Sequence, residues 1–240
     1  MKAVLKKNDL PAVPEIVCGS FSKEEAAKLI SAGTRHVHSS RLGDDDLYAK
    51  ITKETLNFGR TLSFPWELQK DCQEITILSS DARNDVTQKI LSGLGGIGRK
   101  ERVTCVTEEL LSNAIYHAYQ LPDGSPKYLR LQTVTLSPTE AVSLRFACSP
   151  RGLFLSVVDQ GGALTFKLIA QAFSRCYARQ SDQIENKESG AGLGLYMVFE
   201  AVTHLKIVTI PGKKSIVSCW IEEQRAADPH FFSFNYFEKG

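Results

Sequence analysis

One short stretch of the chain combines side chains that could do chemistry. In residues 108–118, "EELLSNAIYHA", a carboxylate, an amide and an imidazole occur at every fourth position. If this stretch is a helix, Glu109, Asn113 and His117 lie on nearly one face, and the apolar residues between them point elsewhere. An amide oxygen suits a hard cation, and a carboxylate can accept a proton from a hydroxyl or water. The spacing predicts a helix with one polar face that holds a ligand.

A second candidate lies where a predicted strand ends. In "VVDQGG", Asp159 is followed closely by Gly161 and Gly162, so a carboxylate lies at the strand edge where the backbone turns tightly. Taken alone, Asp159 is also compatible with an ordinary turn former.

A third candidate is a run of glycines before a predicted helix. "ESGAGLGLYMV" places Gly190, Gly192 and Gly194 ahead of the helix, with Leu193 between the last two. Such glycines expose backbone N–H groups and a helix N-terminus to an anion, although a flexible turn into a helix has the same pattern. A Rossmann unit is disfavoured, because its glycines follow the first strand of a βαβ unit and these follow a polar loop.

Length and composition bound the fold and the partners. With 240 residues, 42% of them hydrophobic, the chain can bury a full core and exceeds one typical domain. The net charge of +2, with acids and bases interspersed, argues against nucleic-acid binding and against a membrane-binding patch. No apolar run reaches the roughly 20 residues of a membrane span, and no signal-peptide core is evident. We therefore expect a cytoplasmic protein whose partners are small ligands or proteins.

Cysteine usage agrees with that compartment. The six cysteines are scattered singly, without a CxxC pair or a nearby histidine at metal spacing. We expect them to be reduced, to act as small apolar side chains, and to form neither a disulfide nor a zinc site.

The elements that must position these residues fall into two regions. Residues 14–58 predict a βαβα order, including a helix opened by Ser22 and ended by Gly33, and an irregular linker follows. With a boundary near Lys70, the predicted parts are a small module at residues 1–70, a main domain at residues 71–223 and an aromatic tail at residues 224–240.

The main domain predicts a mixture of strands and helices. It opens with a strand and a helix from Asp81, and the long helix with the polar face follows. Mixed strands with helices on one side predict an α/β sandwich. The later predicted elements are strands at 128–136, 141–149 and 152–160, helices at 166–176 and from Leu193, and a hairpin that turns at Gly212.

The order of the three motifs resembles one known superfamily. A helix with Glu-x-x-x-Asn, then Asp-x-Gly after a strand, then Gly-x-Gly-x-Gly opening a helix, is similar to the N box and the two glycine boxes of GHKL ATPases. The resemblance covers residues 72–222. It implies the Bergerat-type ATP-binding fold, a two-layer α/β sandwich with a mixed, mostly antiparallel sheet and helices on one face. Within the superfamily, "VTEELLSNAIYHAY" looks most like the bacterial anti-sigma-factor serine/threonine kinase branch.

The resemblance implies a role for each site residue. Asn113 would hold Mg²⁺ against the triphosphate of ATP, and Glu109 would orient or deprotonate the attacking hydroxyl or water. Asp159 would accept a hydrogen bond from the adenine amino group, and Gly161 would let the base approach the backbone. A lid at residues 163–189 would cover the phosphates. The N–H donors for those phosphates would come from Gly190, Gly192, Leu193 and Gly194.

These roles favour an ATP-dependent kinase that phosphorylates a Ser or Thr of a partner, such as an anti-anti-sigma-like, sigma-like or other signalling protein. Two alternatives stay open: a nucleotide-dependent switch that sequesters a partner without chemistry, and a histidine kinase module acting in trans. A sensor histidine kinase would need a dimerising hairpin with its phosphorylated histidine just upstream, whereas His36 and His38 lie on a predicted strand. Similar kinases commonly dimerise, which leaves a homodimer open.

Some site features depart from the family pattern. Ala163 stands where the first glycine box often has its second glycine. His117 is expected to be a helix histidine bonded to a loop, without a catalytic role. Arg175 and Arg179 could reach phosphates or could belong to a solvated basic face.

The two ends of the chain carry weaker signals. The N-terminal segment is similar to the last two strand and helix pairs of a response-regulator receiver, without its phosphoacceptor Asp; the alternative is an unrelated docking module. The tail, "HFFSFNYF", predicts either a strand packed on the domain or an exposed interaction segment.

Overall fold

The computed structural model describes most of the main domain and parts of both terminal segments. The described residues are 3–4, 16–39, 72–94, 100–121, 123–130, 132–149, 152–177, 193–222 and 232–239. The helix and linker predicted between residues 40 and 71 lie outside them.

One mixed sheet runs through the described segments. Its strands are β1 (Ala3–Val4), β2 (Ile16–Gly19), β3 (His36–Ser39), β4 (Gln73–Ile77), β5 (Val142–Ser149), β6 (Gly152–Asp159), β7 (His204–Ile210), β8 (Lys214–Glu222) and β9 (Phe232–Glu238). Among the described residues these nine strands have the order β1-β2-β3-β9-β7-β8-β6-β5-β4. Neighbours are antiparallel, except that β2 is parallel to β3 and β7 is parallel to β9.

The helices of the described chain are α1 (Lys23–Ser31), α2 (Ala82–Ser92), α3 (Lys100–Ser112), α4 (Phe166–Tyr177) and α5 (Leu193–Ala201). A π-helical segment, Asn113–His117, continues α3, and a 3₁₀ turn, Pro138–Glu140, precedes β5. α1 begins where predicted, because Ser22 and Glu25 form a capping box that satisfies N–H groups of the first turn.

These helices pack on one face of the sheet. Leu155 of β6 and Phe234 of β9 enter the same apolar core as Phe173 of α4. On the opposite face, Val208 and Ile216 belong to a separate, small apolar cluster. Successive residues of a strand point to opposite faces, which explains the division. The predicted two-layer α/β sandwich, with a mixed and mostly antiparallel sheet and helices on one face, is confirmed.

The N-terminal segment belongs to the same sheet as the main domain. β2 and β3 run parallel with α1 between them, so the predicted βαβ order is present. β3 pairs with β9, and α1 packs against α4. The predicted boundary near Lys70 lies outside the described residues and stays a prediction. The likeness to a receiver also stays a prediction, because a parallel βαβ unit occurs in many folds.

The aromatic tail forms an interior strand. β9 lies between β3 and β7, and its Phe232, Phe234 and Tyr236 are buried in the core. Because both edges of β9 are paired, its backbone groups are satisfied within the sheet. The expectation of a packed strand is confirmed for Phe232–Glu238, and the alternative of an exposed segment is wrong there.

One predicted strand is not found in the described chain. The described residues of 128–136 form an irregular segment, with one isolated bridge between Ser79 and Thr135. Leu129 is 56% exposed, so the alternating pattern that predicted a strand does not correspond to one buried face.

The predicted lid also needs a correction. Residues 166–177 of the expected lid form α4, whose Ile169, Ala172 and Phe173 are buried in the core. A helix fixed by a buried apolar face cannot open and close over phosphates. This part of the lid prediction is wrong, and residues 178–189 lie outside the described chain.

Candidate functional site

The polar stripe lies on a helix, as predicted. α3 and the π-helical segment carry Glu109, Asn113 and His117, which are half-buried, while Leu110 and Ile115 are buried in the core. The apolar face fixes the helix against the sheet. The polar side chains are thereby held at the edge of the core instead of being fully solvated.

The helix changes geometry in the middle of this stripe. From Asn113 to His117 the backbone is a π-helix, in which hydrogen bonds span five residues instead of four. The α-helical spacing therefore holds from Glu109 to Asn113 but does not fix the direction of His117. This corrects the expectation that all three side chains follow one α-helical face. Single π-helical turns occur frequently at functional sites.

Asn113 can serve as a ligand. Its side chain is partly exposed, and no hydrogen bond to it is found among the residues that the structure describes. No cluster of three or more metal-binding His, Cys, Asp or Glu occurs in the described ranges. A Mg²⁺ here would take one oxygen from Asn113 and the others from phosphates and water, which suits an ion that dehydrates reluctantly. The residues present therefore fit the predicted ion.

Glu109 lies where two other elements meet α3. Both of its carboxylate oxygens are 3.3 Å from Nη2 of Arg130, in the loop that precedes β5. A Cβ added to Gly194, the second residue of α5, would overlap Oε2 of Glu109. The carboxylate therefore rests against the N-terminus of α5, where the helix dipole favours negative charge.

The second glycine box is described only in part. Leu193 is 60% exposed, and Gly194 is buried against Glu109. Gly190 and Gly192 lie outside the described residues, so their contact with phosphates stays a prediction. The contact with Glu109 is a reason for glycine at position 194 that the sequence pattern did not indicate.

Asp159 organises the first glycine box. Its Oδ1 accepts hydrogen bonds from the N–H groups of Gly161 and Gly162, both at 2.9 Å. Burial raises the pKa of Asp159, and these hydrogen bonds oppose the rise. The carboxylate is thus a turn former at the end of β6, and its contact with adenine stays a prediction.

The two glycines after Asp159 lie where backbones approach closely. A Cβ on Gly161 would overlap the carbonyl oxygen of Ala118, directly after the π-helical segment. Gly162 has a φ of 64°, and a Cβ there would overlap the carbonyl oxygen of Ile210, the last residue of β7 before the turn to β8. The first glycine box is therefore wedged between the polar helix and this hairpin.

The polar helix consequently touches both glycine boxes. Glu109 contacts Gly194, Ala118 contacts Gly161, and Asn113 lies between these contacts. The segment from Glu109 to Ala118 would span about 13 Å at the rise of an α-helix. The three motifs, which are far apart in sequence, are thus brought to one helix.

The loop that carries Arg130 is fastened by Glu140. The Glu140 carboxylate accepts hydrogen bonds from Lys127, Ser137 and Tyr128. Burial acts to raise the pKa of Glu140, but these hydrogen bonds outweigh it and lower the pKa to about 2. The loop is therefore held by a charged group across the neutral pH range.

Tyr119 connects this loop to the first glycine box. Its hydroxyl donates to the backbone oxygen of Glu140 at 3.2 Å and accepts the N–H of Gln160 at 3.3 Å. Burial raises the pKa of Tyr119 to about 12, so the hydroxyl stays protonated and can make both bonds. Neither Tyr119 nor Glu140 was a predicted site residue, because their contacts join distant parts of the chain.

His117 differs from its prediction. Its Nε2 is buried and has no hydrogen-bond partner within the described part of the chain. Burial, and then the guanidinium of Arg130, lower the pKa of His117, so the ring is neutral at pH 7. The expectation that the ring is satisfied by a loop is wrong for this nitrogen.

Arg130 was missed by the sequence patterns. It lies in a stretch that predicted a strand, and no motif or spacing marks it. The arginines considered for phosphate binding were Arg175, whose Nε donates to Gln171 O on its own helix at 3.4 Å, and Arg179, which lies outside the described residues. Only its contact with Glu109 identifies Arg130.

Comparison with known families agrees with this geometry. The model of the family described as histidine kinase-, DNA gyrase B-, and HSP90-like ATPase matches residues 98–225, more than half of the chain. These residues include α3, the π-helical segment and both glycine boxes. The chain belongs to this ATPase family. A comparison with curated proteins found no match.

Family membership settles the coarser level of the predicted function. Residues 98–225 are an ATP-binding domain of the GHKL type, and such domains typically bind ATP with Mg²⁺. The family contains both ATPases and kinases, so the reaction and its acceptor are matters for proposal. Within the described residues, no helix has the length and apolar character needed to cross a membrane.

Proposed function

We propose that the protein is an ATP-dependent protein kinase that transfers the γ-phosphoryl group of ATP to a Ser or Thr of a partner protein. The position of Glu109 carries this proposal. Its carboxylate lies against the N-terminus of α5 and four residues before Asn113. A proton acceptor thus lies next to both groups proposed to hold the phosphates.

The proposed site binds ATP through three elements. Asn113 would hold Mg²⁺, which neutralises charge on the phosphates. The first turn of α5 offers backbone N–H groups and the positive end of a helix dipole to those phosphates. Asp159, whose carboxyl group is already fixed at the end of β6, would accept a hydrogen bond from the adenine amino group.

The chemical step requires one proton acceptor from the protein. The acceptor hydroxyl oxygen attacks the γ-phosphorus, and the bond between that phosphorus and the β–γ bridging oxygen breaks. Glu109 takes the hydroxyl proton, ADP leaves, and a phosphoester remains on the partner. General-base positioning of this kind is typically worth about 10²–10⁴ in rate.

A hydroxyl acceptor is proposed in preference to a histidine. One support is the likeness of "VTEELLSNAIYHAY" to the anti-sigma-factor kinases. The other is the burial of the histidines that precede the domain, since His36 is 2% and His38 is 6% exposed on β3. A ring that is buried in a sheet does not reach a transferring phosphoryl group, so neither of these two residues is the acceptor. The proposed partner is accordingly a signalling protein with an exposed Ser or Thr.

A nucleotide-dependent switch without phosphoryl transfer is the second candidate. The observation that favours it is the ion pair in which Arg130 contacts both oxygens of Glu109. A carboxylate that stays paired does not accept a proton. A partner that binds only the nucleotide-bound form would then respond to nucleotide without chemistry.

Labelling with γ-labelled ATP and cell extract tests these candidates. We expect acid-stable label on a partner protein, as a Ser or Thr phosphoester gives, and loss of that label with Glu109→Gln. Acid-labile, base-stable label would instead indicate a histidine acceptor in trans, and no label with wild type would favour the switch. Glu108→Gln is the matched control, because Glu108 accepts from Thr87 at 3.0 Å on the side of α2.

A further inference from the structure

Arg130 is placed at the site by its loop. Its Nη2 is 3.3 Å from each oxygen of Glu109. On one side of Arg130 the hydroxyl of Tyr128 donates to Glu140 at 2.9 Å. On the other side the hydroxyl of Tyr116 donates to the backbone oxygen of Gln132 at 3.3 Å. The residues two positions before and two positions after Arg130 are thus hydrogen-bonded to other parts of the fold. These bonds hold the backbone of Arg130 close to the polar helix.

The guanidinium covers more than one residue of the polar stripe. Besides its contact with Glu109, it is close enough to His117 to lower the pKa of that ring. Asn113 lies between these two residues in sequence, at the start of the π-helical segment. Arg130 therefore lies beside Glu109, one helical turn from the residue to which the proposed function assigns the metal.

Glu109 is contacted on two sides while this pair exists. Gly194 lies directly against one side of the carboxylate, and Nη2 of Arg130 lies 3.3 Å from both of its oxygens on another. An acceptor hydroxyl would have to compete with Arg130 for these oxygens. Displacement of Arg130 would therefore make Glu109 a better proton acceptor.

The pair is weak enough to be exchanged. The Arg130 side chain is 42% and the Glu109 side chain 22% exposed, and one nitrogen serves both oxygens instead of a two-nitrogen fork. Partly solvated pairs of this kind contribute little to stability. A triphosphate offers more charge and more acceptor oxygens than a single carboxylate, and arginine binds phosphate oxygens well.

We infer that Arg130 changes partner when ATP binds. Its guanidinium releases the Glu109 carboxylate and contacts the terminal phosphate of ATP instead. Arg130 is then a positioning residue for Glu109 and a determinant of ATP over ADP, because ADP lacks the phosphate that draws the guanidinium away. Glu109 becomes available only when the phosphoryl group to be transferred is present. This inference rests on the proposed function, since it requires nucleotide at the polar stripe.

Paired binding measurements with ATP and ADP test the inference. Arg130→Ala should weaken ATP binding about tenfold, as expected when a charged hydrogen bond is lost, and should change ADP binding less than about twofold. Arg130→Lys keeps the charge and should restore part of the preference for ATP. Arg145→Ala breaks a partly exposed pair with Glu74 on the face of β5 opposite the helices and should leave both affinities unchanged.

The ratio of the two affinities separates the outcomes. If Arg130→Ala weakens ATP and ADP equally, the residue has a structural role and the inference is wrong. If neither affinity changes, Arg130 does not reach the terminal phosphate, and the inference is also wrong. If wild type itself binds neither nucleotide, the proposed function fails before any variant is compared.

Discussion

Three polar side chains on one helix are engaged in different ways. Glu109 is paired with Arg130, and within the described residues Asn113 makes no hydrogen bond and Nε2 of His117 has no partner. Leaving a buried polar atom unpaired costs about 1–3 kcal/mol, so such atoms are rare in folded proteins. Two of the three side chains therefore have bonding capacity that a ligand would use.

Replacing Asn113 by Ala should weaken MgATP binding about tenfold and metal-free ADP binding by less than about threefold, because the amide oxygen acts through the metal. Calorimetry with both ligands measures the two effects. Asn84→Ala, on the exposed side of α2, is the matched control. Equal weakening of both ligands would show that Asn113 does not act through the metal.

Replacing Gly194 by Ala should destabilise the protein by about 0.5–1.5 kcal/mol, because the added methyl group overlaps the end of the Glu109 side chain and forces it into a less favourable rotamer. In a Glu109→Ala background the same change should be nearly neutral, since the overlap is gone and alanine favours a helix. Urea unfolding of the four proteins gives the coupling between the two positions. The same cost in both backgrounds would mean that Gly194 and Glu109 are not in contact.

At the scale of elements, the loop between the π-helical segment and β5 positions much of the site. It carries Arg130, and through Tyr119 it also holds the first glycine box. Glu140 is the group that closes this loop on itself. Loosening Glu140 should therefore affect both the stability of the fold and the placement of the site.

Replacing Glu140 by Gln should cost about 1–2 kcal/mol at pH 7, since charge-assisted hydrogen bonds are lost. The folded pKa of about 2 lies below the ordinary 4.5, so the unfolded chain binds more protons between these values. The stabilisation is present above pH 4.5 and is lost as the pH falls toward 2. Urea midpoints of both proteins should therefore differ at pH 7 and converge as the pH approaches 2. A constant difference would contradict the assignment.

Local sequence signals predicted most of the elements but not their neighbours. The capping box at Ser22 and the turn at Gly212, which has a φ of 68°, each involve residues close in sequence. Their residue types are therefore sufficient to predict these two features. The insertion of β9 between β3 and β7 depends on pairing across most of the chain, for which no local pattern exists. Residues 128–136 alternate as a strand does, but tertiary contacts decide their structure.

The same limit applies to the candidate site. The family motifs carry Glu109, Asn113 and Asp159, because their spacing and order are visible in the chain. The ion pair of Glu109 with Arg130 joins residues 21 apart through a loop, and no spacing rule predicts such a contact. The π-helical segment was missed because its residue types are those of an ordinary helix.

At the scale of the whole molecule, the N-terminal segment is tied to the helix that meets Glu109. Nζ of Lys23, in α1, donates to the backbone oxygens of Phe199 at 2.5 Å and Val202 at 2.6 Å, at the end of α5. The same amine lies 4.2 Å from the centroid of the Phe199 ring. α5 is thus held at one end by the N-terminal segment and contacts Glu109 at the other.

Acid should weaken the part of the sheet that joins the N-terminal segment to β9. Burial lowers the pKa of His36 to about 4 and that of His38 to about 3, below the ordinary 6.5. The unfolded chain therefore binds more protons as the pH falls below 6.5, and stability is lost toward pH 4 at about 1.4 kcal/mol per unit of pKa difference.

Urea midpoints at pH 7.5 and pH 5 measure this loss. His36→Gln removes one titrating group next to Asn235, which its Nδ1 contacts at 3.1 Å, and should make stability less dependent on pH. An unchanged dependence in the variant would show that His36 does not contribute to acid sensitivity.

The claim that Glu109 accepts the proton in phosphoryl transfer is tested most directly by measuring single-turnover transfer and ATP affinity together, for wild type and Glu109→Gln. The acceptor is the unphosphorylated form of the partner that wild type labels. The variant keeps the shape of the side chain but loses its charge and most of its basicity. We predict that transfer falls about 10²–10⁴-fold while ATP affinity stays within about threefold. Glu108→Gln is the control and should transfer at the wild-type rate, because the Glu108 carboxylate of wild type lies 3.6 Å from Arg83 instead of Arg130. Unchanged transfer in Glu109→Gln would contradict the account.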